Sequence, residues 1–252
     1  VDTYLSTGRV AFPGSVSGTV RSGEVPTVYS FSFGAQREIG AGVLADVAYA
    51  GSLGRHLRQS VNLNGIAPGA NFLAQNIDPT NGKALPQDFL RPYPGLGNIN
   101  YLTYDANSNY HSLQAQLHRR FTRDVQFSAV WTWSKSLATS EGSQVSRYLD
   151  QRSFYYGLAS FDRTHIVNIN WIYSLPKASK VWDNSVTRLA LDGWQLTGIA
   201  SFISGAPLGI SFTTTDSADI TGSPTETARA DAVATVQIPK SERTLLRYFN
   251  TA

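Results

Sequence analysis

His56, His111, His118 and His165 are the side chains of this 252-residue sequence best suited to hold a metal or pass a proton. They fall on different strands or loops, with no two at the spacing of metal ligands. Polar positions in a pore or on its rim account for them better. Gly40, Gly42 and Ala45 satisfy a dinucleotide fingerprint, but the residues that follow alternate as a strand and open no helix, so a glycine-rich hairpin turn explains them. The sequence has no cysteine, which removes disulfides, thiol catalysis and Cys-based zinc sites. No Ser-His-Asp order, carboxylate pair or phosphate loop stands out. Enzyme activity is not expected, and no cofactor is implied.

Three further groups can be read as recognition surface or as structure. Arg119 and Arg120 beside Phe121, with Arg123 and Asp124 across a turn, suit a basic docking patch. A charged corner at the headgroup level of a membrane is the favoured account. Asp162 and Arg163, in "FDRTH", open a strand below a long connection, where they can pair with each other or touch a ligand. Tyr93, Tyr101, Tyr104, Tyr148, Tyr155 and Tyr156 lie in expected loops, where amphipathic aromatics serve recognition or pack the loops into a cap.

The elements that must position these groups are alternating strands. "TVYSFSFGAQRE" (27–38) sets Tyr29, Phe31, Phe33 and Ala35 against Ser30, Ser32, Gly34 and Gln36, turns at "IGAG", and returns through "VLADVAYAG" (43–51) with Val47 and Tyr49 on the apolar side. "NYHSLQAQLHRRFTRDVQFSAVWTWSKS" (109–136) is a second hairpin, with Leu113, Leu117, Phe127, Ala129, Trp131 and Trp133 on one face. Val167, Ile169, Trp171 and Tyr173, then Trp194, Leu196 and Phe202, continue the pattern on two more strands. A seventh strand is expected at 208–213, before a polar, threonine-rich stretch. Long connections, 52–108 and 137–162, alternate with short ones; a medium connection, "PKASKVWDNSVTRLALD", precedes the last long strand.

Charged residues make up 15% of the chain and aromatic residues 12%, while mean hydropathy is -0.18. The apolar side chains are therefore interspersed, and no run approaches the roughly 18 residues of a membrane helix. The net charge of +3 comes from scattered Lys and Arg without a basic run, so nucleic-acid binding gains no support.

An apolar strand face needs a second layer in a soluble protein, or lipid in a membrane. Six strands of about ten residues, with short turns at one end and long loops at the other, match a transmembrane β-barrel. The fold class expected is thus all-β, an antiparallel transmembrane barrel of the bacterial outer membrane. Its lipid-facing residues would be Phe31, Phe33, Val47, Leu113, Leu117, Phe127, Ala129, Trp131, Val167, Ile169, Trp171, Leu196 and Phe202. Tyr29, Tyr49 and Trp133 would form the aromatic girdle toward the long loops; Phe121, Tyr173 and Trp194 would form the other.

Seven blocks carry a resemblance. "FSFGAQREIGAGVLADVAYAGSLGRHLRQSVNLN", "RPYPGLGNINY", "NSNYHSLQAQLHRRFTRDVQFSAVWTWSKSL", "FDRTHIVNINWIYSLP", "GWQLTGIASFISGAPL", "RAD" and "RYFNTA", in that order, are similar to the barrel region of Oar-like TonB-dependent receptors. The resemblance implies a barrel of about 22 strands, an N-terminal plug and a short box that recruits the TonB energy-coupling system. Residues 1–252 match one segment of that barrel domain, without plug, box or closing strands, so a partial chain is expected. The implied function is uptake of a large ligand: an oligosaccharide, peptide or chelate. A surface structural or adhesion protein on the same barrel is the alternative, and a soluble β-sandwich or lectin-like module is a third reading.

Overall fold

In the computed structural model, the described residues are 14–122, 124–139, 141, 144–182, 184–209, 211–212, 220, 228–229 and 238–244. They form a nine-stranded sheet with a separate two-stranded pair. The wall of the sheet is six antiparallel strands in the order β2 (Thr27–Gly40), β3 (Val43–Asn62), β4 (Asn98–Thr122), β5 (Val125–Ala138), β8 (His165–Ser174) and β9 (Gln195–Ile203). Three short strands join above it: β1 (Ser15–Thr19), β6 (Gln144–Ser146) and β7 (Gly157–Leu158). The separate pair is β10 (Ser211–Phe212) with β11 (Ala228–Arg229). Of the strand expected at 208–213, Ser211 and Phe212 are extended, and residues 210 and 213 lie outside the described ones.

Local sequence dictates the turns. Between β2 and β3, Ala41 and Gly42 both take positive φ, 53° and 71°, the mirror-image turn whose twist matches that of the flanking strands. Asp124 does the same at 67° between β4 and β5, where a short polar side chain tolerates the left-handed region. Between turns, the side-chain period of two fixes the register. Phe33, Tyr49, Leu113, Trp133 and His165 form one row across five strands; Ala35, Val47, Ala115, Trp131, Val167 and Phe202 form the next across six. The rows containing Leu117, Ala129 and Ile169, then Phe127 and Trp171, then Tyr173 and Leu196, complete the same face. All thirteen residues expected to face lipid therefore share one face, and none is buried.

The opposite face carries Ser32, Gln36, Asp46, Gln114, Gln116, Ser128, Asn168, Asn170 and Thr197. It is less uniformly polar than the alternation suggested, because Val130, Ile166, Ile172 and Ile199 lie on it. Burial is inverted relative to a soluble domain. Phe33 is 79% exposed and Phe202 62%, whereas three small polar residues of the wall, Ser112, Ser134 and Ser136, are buried. A β-sandwich would require a second sheet packed on the apolar face, and among the described residues no layer covers it.

Strand length is the main departure from expectation. β3 and β4 run for 20 and 25 residues, so segments 52–62 and 98–108 of the expected first loop are paired strand and the connection is 63–97. Register shifts between Gly54 and Gln59 mark the change. Such bulges bend a strand and increase its twist. Above them the hairpin exchanges neighbours: β1 lies parallel beside β4, and β6 parallel beside β3. Within the second expected loop, β7 extends the ladder of β5.

Two glycines in the wall are covered by aromatic rings on the adjacent strand. Phe31 lies over Gly51, and Trp171 over Gly198, where an added Cβ would come within 2.4 Å and 2.1 Å of the ring. The ring fills the space of the missing side chain, a pairing that pins register. Replacing Gly198 by Val should displace Trp171 and cost about 1–3 kcal/mol, read from denaturant-dependent folding of the whole protein into bilayers. An unchanged midpoint would mean that the ring is free to move.

Candidate functional site

Above the wall, where β3 and β4 leave the apolar rows, side chains take over the pairing of main-chain groups. Asn64 is fully buried: its Nδ2 donates to the carbonyls of Tyr93, Leu96 and Gly97 at 2.8–3.1 Å, and its Oδ1 accepts from the Tyr93 N–H at 2.8 Å. Asn62 Oδ1 accepts from the N–H groups of Asn64 and Ile99. Arg91 donates to the Asn64 carbonyl and to Asn98 Oδ1, and its Nε meets Asp88 at 3.1 Å. The blocks "VNLN" and "RPYPGLGNIN" thus lock onto each other and close the base of the 63–97 loop. No ligand is needed to explain them.

Val61, Val145 and Tyr155 form a small core beside this lock, flanked by Leu63, Leu149 and Phe154. Of the two readings open to the loop tyrosines, Tyr155 takes the packing one. Tyr155 is only 6% exposed and its hydroxyl accepts from the Ser146 N–H at 2.7 Å, so it packs the loop rather than presenting a surface. Tyr101 and Tyr104 are not loop residues but half-buried members of β4. Tyr93 and Tyr148 are exposed, with Arg147 5.3 Å over the Tyr148 ring. Tyr156 is half-buried, and its hydroxyl accepts from Asn109 Nδ2.

Around Tyr156 is a polar cleft of about 370 Å³ lined by Arg55, Asp105, Asn109, Gln151 and Arg152 among others. Its groups are held in place. Arg55 donates to the Ser108 carbonyl at 3.0 Å and to Asn109 Oδ1 at 2.9 Å, while Asp105 accepts from Gln151 Nε2 at 3.0 Å and from the Thr103 hydroxyl at 2.6 Å. Alternating donors and acceptors beside an aromatic ring suit a ligand rich in hydroxyl or amide groups. Sequence reading singled out Tyr156 but missed Arg55, Asp105 and Gln151, which reach one place only because the 144–156 segment folds back onto β3 and β4.

A second concavity, of about 620 Å³, is lined by Tyr49, His111, Leu113, Trp133, Lys135 and Leu158 among others. It opens on the apolar face. His111 stacks on Tyr49 at 6.0 Å between ring centres and shares a 2.6 Å hydrogen bond with its hydroxyl. His165 stacks on Trp131 and accepts from its Nε1 at 3.3 Å. His56 sits in the bulge of β3, 3.5 Å from Glu24, and His118 lies on the polar face in the row of Leu44 and Ser128. Among the described residues no three His, Asp or Glu side chains converge as metal ligands.

Asp162 and Arg163 do not pair through their side chains. Arg163 Nη1 donates to the Asp162 carbonyl, while the buried Asp162 carboxylate accepts from the Ser136 N–H at 2.6 Å. The carboxylate fills a gap in the β5 ladder between the β8 pairing, which ends at Trp133, and the β7 pairing, which begins at Leu137. Of the basic corner, Arg120 N–H reaches the Gly42 carbonyl of the neighbouring turn at 3.3 Å; the Phe121 and Arg123 side chains lie outside the described residues. In the loops, the Thr80 hydroxyl and amide hold the Asp78 carboxyl below its ordinary value, and the Ser153 N–H does the same for Asp150.

A single antiparallel sheet with an apolar face, a largely polar opposite face and structured polar loops beyond one rim is the wall of an outer-membrane barrel. The family model for the outer membrane beta barrel domain matches residues 2–252, and the chain belongs to that family, which places it in the bacterial outer membrane. No curated protein matches the chain. Among solved structures it is similar to the outer membrane transporter YddB from Escherichia coli, at 13% identity and a TM-score of 0.42, over 66% of this chain and 20% of that one.

Asp162→Ala should leave the Ser136 N–H buried without an acceptor, costing about 1–3 kcal/mol and opening the ladder locally. Amide exchange at Ser136 in the whole protein checks it: protection should fall there while that of Trp131 holds. Equal protection in both variants would show that another acceptor replaces the carboxylate.

Proposed function

We propose that this chain is barrel wall and recognition rim of a TonB-dependent receptor of the Oar-like group, importing a ligand too large to diffuse through an open pore. The observation that carries this reading is how the chain distributes its connections. The rim bearing 63–97 and 144–164 is built up, by buried asparagine locks and a small core, into a scaffold that holds a polar cleft. At the other rim, β2–β3 and β4–β5 turn in two residues. A passive wall needs no such scaffold, and long loops on a rigid frame are commonly recognition elements. The cleft carries both charges, amides and a tyrosine, which favours an oligosaccharide or peptide over a simple ion.

TonB dependence is supported by the seven sequence blocks. A barrel of about 22 strands is supported by the outer edges of β2 and β9, which among the described residues pair with no strand. Hydrocarbon cannot satisfy such edges, so further strands of a longer chain would cover them. Val130, Ile172 and Ile199 on the inner wall would meet a plug. No enzymatic step enters this reading, and its partners are membrane lipid, the TonB system through an N-terminal region, and the extracellular ligand.

Lipid exposure of the apolar face is tested by Arg substitutions. Leu117→Arg and Ala129→Arg should each cost about 2–4 kcal/mol near the bilayer midplane, whereas Gln116→Arg and Ser128→Arg should be nearly neutral. Equal loss at all four positions, in folding into bilayers, would sink the assignment of faces.

Recognition is tested by replacing 66–90 with a short Gly-Ser linker in the complete receptor. That span leaves the Asn62, Asn64 and Arg91 lock in place. Surface assembly should survive while binding and TonB-dependent uptake of oligosaccharides or peptides by whole cells fall. Unchanged uptake of every candidate nutrient would make the loop a passive cap and favour a structural or adhesive role.

A further inference from the structure

The connection between β8 and β9 breaks the pattern of its rim. Where the other two hairpins there turn in two residues, the connection here contains a 3₁₀ turn (Ala178–Lys180) followed by a short helix (Ser185–Ala190). Asn184 caps this helix by accepting from the Thr187 N–H at 2.8 Å, and Asp192 pins the 3₁₀ turn through the Ser179 hydroxyl and N–H. This compact, hydrogen-bonded piece turns its apolar side chains outward. Leu189 is 90% exposed, with Val181, Val186 and Trp182 also well exposed.

From this geometry we infer that the β8–β9 connection is an anchor that lies in the phospholipid surface of the periplasmic leaflet. The inference rests on the barrel orientation proposed above. Two observations choose lipid as the occupant. The first is continuity: the segment leaves the wall at Leu175 and returns at Trp194, which pair with each other and belong to the apolar face at its short-turn end. Trp194 Nε1 also donates to the Ala190 carbonyl at 2.8 Å, tying the helix to the level of the aromatic girdle. The exposed apolar groups therefore extend the membrane-embedded face instead of standing apart from it. The second is charge. Lys177, Lys180 and Arg188 outnumber Asp183 and Asp192 in the segment, and Asp192 is committed to Ser179. Cations beside a tryptophan and aliphatic side chains are the composition of elements that lie in a headgroup layer.

The test uses the complete protein reconstituted in vesicles of phosphatidylethanolamine and phosphatidylglycerol. An environment-sensitive fluorophore is attached to a single cysteine introduced by Leu189→Cys, Ile169→Cys or Gln75→Cys, in a background without other accessible cysteines. Lipids carrying a quencher just below the headgroup should remove most of the emission at 189, and its spectrum should be blue-shifted. Emission at 75, in the long loop, should be unaffected. Adding Lys180→Gln and Arg188→Gln should reduce the quenching at 189. If 189 reports water while 169 is quenched by deep-labelled lipid, the anchor is wrong and the barrel wall stands. Were 169 also unquenched in the folded protein, the lipid-facing assignment itself would fail. A blue-shifted but unquenched probe at 189 would mean that protein covers the segment, which also overturns the proposal.

Discussion

Hydrocarbon offers no hydrogen-bonding partner, and the rest of this structure follows from that constraint. A chain that crosses a bilayer as strands must pair its main-chain N–H and C=O groups with neighbouring strands. It must also place apolar side chains on the side that meets lipid. The nine consecutive pairs between Val125–Trp133 of β5 and His165–Tyr173 of β8 meet both conditions over the length a tilted strand needs to cross. The inverted burial is a direct result. The exposed rings of Phe33 and Phe202 and the buried hydroxyls of Ser112 and Ser134 would be a folding error in water, but they are the low-energy arrangement around a polar lumen.

Where water returns, the constraint relaxes and the architecture changes within a few residues. Past Gly54 and Ser108 the ladder shifts register, the ribbon exchanges neighbours, and side chains begin to do what strands did below. Asn64 satisfies four main-chain groups, Asn62 two, and the Asp162 carboxylate one ladder N–H. These substitutions are inexpensive because each donor or acceptor could have bonded to water in the unfolded chain, so a single side chain need only match that bonding while excluding solvent. A local lock of this kind stiffens the loop base without a large core, and the one apolar cluster there, around Val145, is correspondingly small.

The same change of solvent explains which parts were legible in the sequence. Between bilayer-level residues the apolar face keeps a period of two, so strands, that face and the short turns can be read directly, the glycine-rich turn at "IGAG" among them. Beyond the bilayer both faces of a strand meet water or loop, alternation loses its cause, and "SLGRHLRQSVN" and "NINYLTYDANS" read as loop although they are paired. The rim could not be derived for a second reason: its contacts are between residues far apart in the chain. Asn64 meets main-chain atoms 29 to 33 residues away, and Tyr155 is buried against Val61 and Val145, so neither role leaves a periodic trace. The sequence places Asp162 at a strand opening, to pair with Arg163 or touch a ligand, but its acceptor role depends on a gap in β5 that only the three-dimensional pairing reveals.

The two rims thus solve different problems with the same chain. On the long-loop side, length is spent on polar structure that stands clear of the membrane, and a cleft lined by Arg55, Asp105 and Tyr156 is assembled from three separate segments. Opposite, two hairpins minimise length, which is what loop-closure entropy favours when nothing is gained by more residues. A twenty-residue exception there must repay the ordering of its backbone through something it touches. Inside the segment the repayment is meagre, since Thr187 is its buried side chain among the described residues and its large apolar groups face away. The proposed anchor supplies the missing contact from outside the segment, through the exposed Val181, Val186 and Leu189, and the apolar face of the wall is continuous with the segment at Leu175 and Trp194, where the chain enters and leaves it.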